Sequence, residues 1–197
     1  MIGPRTIGKA GVVAVVLALA GVEAVRAGAA AAKPFEFRDG DRIILLGDTV
    51  IEREQRYAAL EPRLQLALGE KKVSIRNLGW SGDTVFGDAR AYFGPPDEGI
   101  ERLRAHLKLL KPSVVIMCYG AGLAFDGLGE LPEFLTGYRK LIAAVRAEAP
   151  KARLILMSPP PLENLPPPLP IQEDGNRNLE SLRDVLEEFA LKQSAYF

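Results

Sequence analysis

RIILLGDT, residues 42–49, is a short apolar run that stops abruptly at Gly47-Asp48-Thr49. A run of this length ending in a glycine and two small polar residues reads as a buried parallel strand feeding a turn into a helix. In open α/β sheets ligands bind beyond the carboxyl ends of the strands, so Asp48 and Thr49 stand where a site would be built. The plainer alternative is that one of them caps the following helix through its side-chain oxygen. This octapeptide alone leaves both open.

Outward from that strand, apolar runs alternate with amphipathic segments, the pattern of repeated βαβ units around a parallel sheet. Tyr57, Leu60, Leu64 and Leu68 recur at helical spacing and are expected to face the sheet, with a kink or restart at Glu61-Pro62. Residues 73–78 alternate like a strand and enter the loop Gly79-Trp80-Ser81-Gly82-Asp83-Thr84, whose glycines let backbone amides approach whatever lies above the sheet. An ordinary strand-to-helix connection has the same composition. Gly94-Pro95-Pro96 then precedes a helix striped by Ile100, Leu103, Leu107 and Leu110 and ended at Lys111-Pro112. Residues 113–119, SVVIMCY, predict a central strand covered on both faces and run into Gly120-Ala121-Gly122. A helix bearing Phe134, Tyr138, Leu141, Ile142 and Val145 leads to a fourth strand at 153–157. A proline-rich loop to Pro170 and a helix carrying Leu179, Leu182, Leu186 and Phe189 follow. Residues 194–197 can only begin a fifth strand.

The composition excludes several classes. The 197 residues are 48% hydrophobic with zero formal net charge, which suits one globular domain and leaves no electrostatic footprint for nucleic acid. One cysteine and one histidine rule out a disulfide framework and a multi-His or cysteine-rich metal centre. Cys118 lies in an apolar run and reads as a buried, inert thiol. His106 falls between Leu103, Leu107 and Leu110, a packing or surface position on a helix that carries it away from Thr49. At the N-terminus, Arg5 and Lys9 precede an apolar stretch at 10–22, and Ala27-Gly28-Ala29 offers a cleavage site. Residues 1–29 are therefore expected to be a signal peptide for export and 30–40 a linker, with no stable membrane anchor. An uncleaved anchor is the alternative.

The three strand ends carry a resemblance. GDT at 47–49, RNLGWSGDTVFG at 76–87 and YGAG at 119–122 occur in the order found in the SGNH, or GDSL-type, hydrolase family, which the chain resembles from about Asp41 onward. It looks closest to secreted bacterial members in which such a domain is followed by further sequence. The resemblance implies a three-layer α/β/α sandwich with a mainly parallel, flavodoxin-like sheet, here over 41–197 with the last βα unit missing. One sheet edge is then expected to lie uncovered, making the isolated chain poorly soluble.

Family members use a serine of the first block as nucleophile. Their oxyanion hole combines that residue's amide, a second-block glycine amide and a third-block asparagine side chain, and a late Asp-x-x-His supplies the base. Carried across, Thr49 takes the nucleophile's position and Gly82 that of the oxyanion glycine, while Gly122 falls where the asparagine is expected. The terminal pair has no counterpart. Threonine attacks less freely than serine and equally needs a base. A lost oxyanion donor costs about 3 kcal/mol. The resemblance implies an ester hydrolase acting on acyl esters of carbohydrates or small molecules, without a cofactor and with an impaired catalytic set. The alternative is a non-catalytic secreted ligand-binding module, or a fragment of a longer multidomain protein. Asp48, Asn77, Asp83 and Asn164 are the hydrogen-bonding groups expected to line the cleft.

Overall fold

A computed structural model describes residues 34–197, and its compact unit runs from Phe37 to Phe197. The expected signal peptide, 1–29, lies outside the described residues. Within the stretch expected as a linker, Gly40 N–H donates to the Lys72 carbonyl at 2.8 Å and Asp39 accepts from the Lys72 amide at 2.7 Å, so its end is tied to the fold. Among the described residues no helix is long and apolar enough to cross a membrane.

Four parallel strands, β1 (Arg42–Gly47), β2 (Ser74–Gly79), β3 (Val114–Cys118) and β4 (Arg153–Met157), lie in the order β2-β1-β3-β4. This is the α/β, flavodoxin-like arrangement expected. Because side chains alternate along a strand, Ile44, Leu46, Val115, Met117, Leu154 and Leu156 share one core. That core is completed by α3 (Pro96–Leu110), α5 (Leu131–Glu148) and α6 (Glu173–Lys192), through Leu103, Leu107, Tyr138, Leu141, Leu182 and Leu186. The alternate residues Ile43, Leu45, Val114 and Ile116 are buried as well, on the face where Ile51 of α1 (Thr49–Tyr57) packs under Gly47. Burial of both faces is what the unbroken apolar runs require.

Two expectations need correction. The helical segment after β1 restarts, but at Ala58–Ala59, where Ala58 turns left-handed (φ 49°). Pro62 falls in the first turn of α2 (Leu60–Leu68), where its missing N–H has no intrahelical partner to lose. The break also rotates the apolar stripe. Tyr57 is 66% exposed, Leu60 and Leu64 are half-buried, and only Leu68 is fully covered. At the far edge, residues 194–197 make the beginning of a fifth strand, as expected. Tyr196 bridges in parallel to Ile155, accepting from the Leu156 amide at 2.8 Å and donating to the Leu154 carbonyl at 2.9 Å.

The strands' amino ends are clamped by Asp41. Its carboxylate takes two hydrogen bonds from Arg153 Nη2 at 2.7 and 2.6 Å, one from Ser113 Oγ at 2.6 Å and one from the Arg38 amide at 2.7 Å. Burial alone would raise the acid's pKa, yet the donors from Ser113, Arg38 and Arg153 together outweigh it and hold Asp41 below the ordinary carboxylate value of 3.8. The ionised form is therefore favoured by folding. The stability it contributes is present above that ordinary value and is lost as the pH falls through the lower folded one. Arg153→Met should lower the unfolding free energy in urea at pH 7 by about 3 kcal/mol. Its deficit relative to wild type should shrink progressively below pH 4, where Asp41 takes up its proton.

Candidate active site

The strands end level. Gly47 pairs with Gly79 on one side and with Cys118 on the other, so the three following loops emerge side by side. Trp80 N–H reaches back to the Gly47 carbonyl at 3.0 Å, which carries the β2 loop across the end of β1. A Cβ at Gly79 would run into the backbone of Ile51 and Glu52, so only glycine lets α1 start this close.

Asp48 is the cap of α1. Its carboxylate accepts from the Val50 amide at 2.9 Å, and the nearby amides of Ala121 and Gly120 in the β3 loop favour its charged form. Capping and site construction, posed as alternatives, are thus one arrangement. Burial pushes the Asp48 acid above its ordinary value, further raised by the nearby Asp83 charge, against the lowering effect of those amides. Thr49, the next residue, is exposed, and its Oγ1 accepts a hydrogen bond from the Gly82 amide at 3.0 Å. Gly82 holds φ at 73°, a conformation that side chains other than glycine's rarely adopt, and this aims its N–H at Thr49.

Thr49, Gly82 and Gly122 line one hollow of about 550 Å³ together with Asp48 and Asp83. Val85, Phe86, Tyr119, Leu123 and Phe134 supply its apolar wall, and Asp126, Glu130 and Glu133 add further acids. Gly122, just before the short helix α4 (Leu123–Asp126), lies in helical conformation at φ −60°, ψ −33°, and a Cβ built on it would meet only Asp126 Oδ2, at 3.4 Å. A side chain could therefore start from this position with only ordinary contact at its Cβ.

Asp83 sits 5% exposed at the base of this loop and is met by Arg90, whose Nε donates to Oδ2 at 2.6 Å. Tyr119 donates to the same oxygen at 3.1 Å, and Arg90 Nη2 donates to the Leu78 carbonyl at 2.6 Å. Burial raises the Asp83 acid, offset by Arg90 and Tyr119, and Oδ1 has no hydrogen-bond partner. Tyr119 and Cys118 are pushed up by burial in turn, which leaves both protonated and unreactive.

Two of the residues expected to line the cleft lie elsewhere. Asn77 donates to the Ile51 carbonyl at 2.6 Å and accepts from Gly79 N–H at 2.7 Å, a clamp between β2 and α1 that faces a second hollow with Trp80 and Ser81. Its strand position put it on the face of α1, one residue out of step with the loop. Asn164 accepts from the Gln172 amide at 2.7 Å and pins the proline-rich loop to itself. His106 is exposed and lines the second hollow, not the one containing Thr49. Arg90 escaped the sequence reading. It lies in a single 3₁₀ turn, Ala89–Ala91, which has no periodicity, and the only signal was a lone cation among small residues after Asp83. Among the described residues no group of three or more His, Cys, Asp or Glu is placed to hold a metal ion.

The GDSL-like lipase/acylhydrolase family profile matches residues 40–197. No curated protein sequence matches the chain. Among solved structures, it is similar to Axe2, an acetylxylan esterase from Geobacillus stearothermophilus, at 19% identity and a TM-score of 0.55, covering 82% of this chain and 76% of that one. A carbohydrate acetylesterase family member from Sinorhizobium meliloti gives 20% identity and a TM-score of 0.57, covering 80% and 81%. A gut microbial diltiazem-metabolizing enzyme gives 17% identity and a TM-score of 0.52, and the chain covers 82% of itself but spans only 37% of that protein's length. At these identities the likenesses establish the fold.

Replacing Arg90 by Met strands a buried Asp83 carboxylate and should lower the unfolding free energy by about 3–5 kcal/mol, read from urea melts. Adding Asp83→Leu to that variant should return a large part of the loss, because no uncompensated charge then remains.

Proposed function

Because the chain belongs to the GDSL-like lipase/acylhydrolase family, we propose that its hollow binds acyl esters of small molecules or carbohydrates and that Thr49 attacks their carbonyl carbon. The observation that carries this reading is the 3.0 Å hydrogen bond from Gly82 N–H to Thr49 Oγ1. It sets a nucleophile's oxygen beside a fixed donor of the kind that holds an oxyanion. In the proposed step, Oγ1 gives its proton to a carboxylate of the hollow as it bonds to the carbonyl carbon, and the carbonyl oxygen takes the negative charge, held by the amides of Gly82 and Thr49. The ester C–O bond then breaks, the alcohol leaves with that proton, and water hydrolyses the acyl-threonine to free acid and Thr49. The acetylated-carbohydrate activity named for the Axe2 structure supports the substrate class by analogy of fold. Export by residues 1–29 belongs to the same proposal.

Turnover is slow on this reading. The chain's single histidine faces another hollow, and the groups around Thr49 able to accept its proton are carboxylates. As a class, carboxylates are about two pK units less basic than imidazole, a gap that burial narrows at Asp48 and Asp83. Gly122 withholds the third donor. The same two features favour the second reading, a hollow that binds esters without consuming them.

Hydrolysis of 4-nitrophenyl acetate by the full chain divides the two. Thr49→Ala should drop the rate to the solvent background, and Gly122→Asn, whose Cβ would meet only ordinary contact, should raise kcat/KM about a hundredfold. Thr49→Ser should also raise it, by relieving the methyl group's crowding of the attack. Identical background rates in all four proteins would leave binding alone.

A further inference from the structure

We propose that the second hollow is a subsite for an uncharged sugar ring, so that the ester taken by the Thr49 hollow is carried on a carbohydrate. The link to an ester rests on the reading of the Thr49 hollow as an ester site; the subsite itself does not. Trp80, Ser81, Glu52, Gln55 and His106 line a space of about 430 Å³. It adjoins a smaller one of about 220 Å³ through Trp80, Arg90 and His106, where Tyr92 and Arg102 continue the wall. A stitched seam separates it from Thr49. Ser81 Oγ donates to Glu52 at 2.9 Å beside the hydrogen bond from Gly82 to Thr49, and Thr49, Ser81 and Gly82 are all exposed, so linked rings have an open path from one hollow to the other.

Trp80 and Tyr92 meet edge to face, with ring centres 5.6 Å apart and planes at 82°. Tyr92 holds φ 56°, ψ −103°, a conformation that costs energy for a bulky side chain. Burial does not offset that strain, because the residue is 58% exposed; Arg102, 4.7 Å from the ring centre, holds the ring in this display. The polar groups around the two rings are unused. The Trp80 indole N–H makes no hydrogen bond among the described residues and is not buried, and the exposed Tyr92 hydroxyl, Gln55 amide and His106 imidazole make none either. The charges, by contrast, are paired: Glu52 with Arg53 at 3.5 Å, Arg102 with Glu98 at 3.4 Å and Arg90 with Asp83 at 2.6 Å. The matching ligand is therefore neutral, rich in hydroxyls, and equipped with a flat C–H face to set against a ring. A pyranose has all three: its rim hydroxyls donate and accept as the Gln55 amide and Tyr92 hydroxyl do, and its C–H face is attracted to the negative face of an aromatic ring.

Trp80 is the chain's single tryptophan, so its emission reports on this hollow alone. The full chain is titrated with cellotetraose, which carries no acyl group, and with sorbitol, which has the hydroxyls without the ring, following Trp80 emission and saturation-transfer NMR of the sugar. Cellotetraose should give a saturable response with half-saturation at about 1 mM, and sorbitol none. Tyr92→Gly, which suits the backbone there but removes the ring, should bind at least about tenfold weaker, and Gln55→Ala about threefold weaker, both with cooperative melts. No saturation by about 30 mM, an equal response to sorbitol, or undiminished binding by both variants would overturn the proposal. So would an emission shift that follows protein concentration instead, which would make these rings a contact between copies of the chain. Should Tyr92→Gly not fold, Gln55→Ala decides. Sugar binding in a protein that hydrolyses no 4-nitrophenyl acetate would sink the hydrolase reading and leave this one standing, whereas hydrolysis without sugar binding would sink this one alone.

Discussion

Arg90 and Asp83 meet at 2.6 Å with 5% and 1% of their side chains exposed, and the site depends on that contact. Two charges taken out of water each cost several kcal/mol, which their mutual attraction repays only when the remaining polar atoms are satisfied. Arg90 places further donors on the strand-end carbonyls of Leu78 and, more loosely at 3.5 Å, Gly47, while Asp83 receives the Tyr119 hydroxyl and leaves only Oδ1 without a partner. One ion pair thus touches the ends of β1, β2 and β3. Asp83 directly follows Gly82, so the pair anchors the loop from which the Gly82 amide meets Thr49.

The other end of the sheet uses the same device. Asp41, just before β1, binds Ser113, just before β3, and Arg153, the first residue of β4. With both ends pinned and the middle filled by alternating apolar side chains, the strands have little room to slip in register. A slip of one residue would send Leu46 and Met117 to the opposite face. The level strand ends, on which the convergence of three loops depends, follow from this.

The four strands and the burial of both faces were legible because long apolar runs and helical stripes are strong signals, while the flavodoxin-like arrangement came with the family resemblance. The Phe134-to-Val145 and Leu179-to-Phe189 stripes are buried as their spacing predicts. The Tyr57 stripe misled, since a left-handed Ala58 resets the helical phase and nothing in the residue type announces it. Within the site, Thr49 and Gly82 were legible from the loop motifs and are hydrogen-bonded. Asn77 and Asn164 were not, because an amide side chain serves a backbone clamp as readily as a ligand, and only tertiary placement separates the two. Arg90 and the acids of residues 126–133 stand in turns and at helix starts, where pattern carries least information.

Those acids bear on the proposed chemistry. If an oxyanion forms beside Gly82, it develops in a hollow already lined by carboxylates, two of them so buried that their own ionisation is disfavoured. With an uncharged ester, each nearby negative charge raises the energy of that intermediate, and no side chain replaces the donor missing at Gly122.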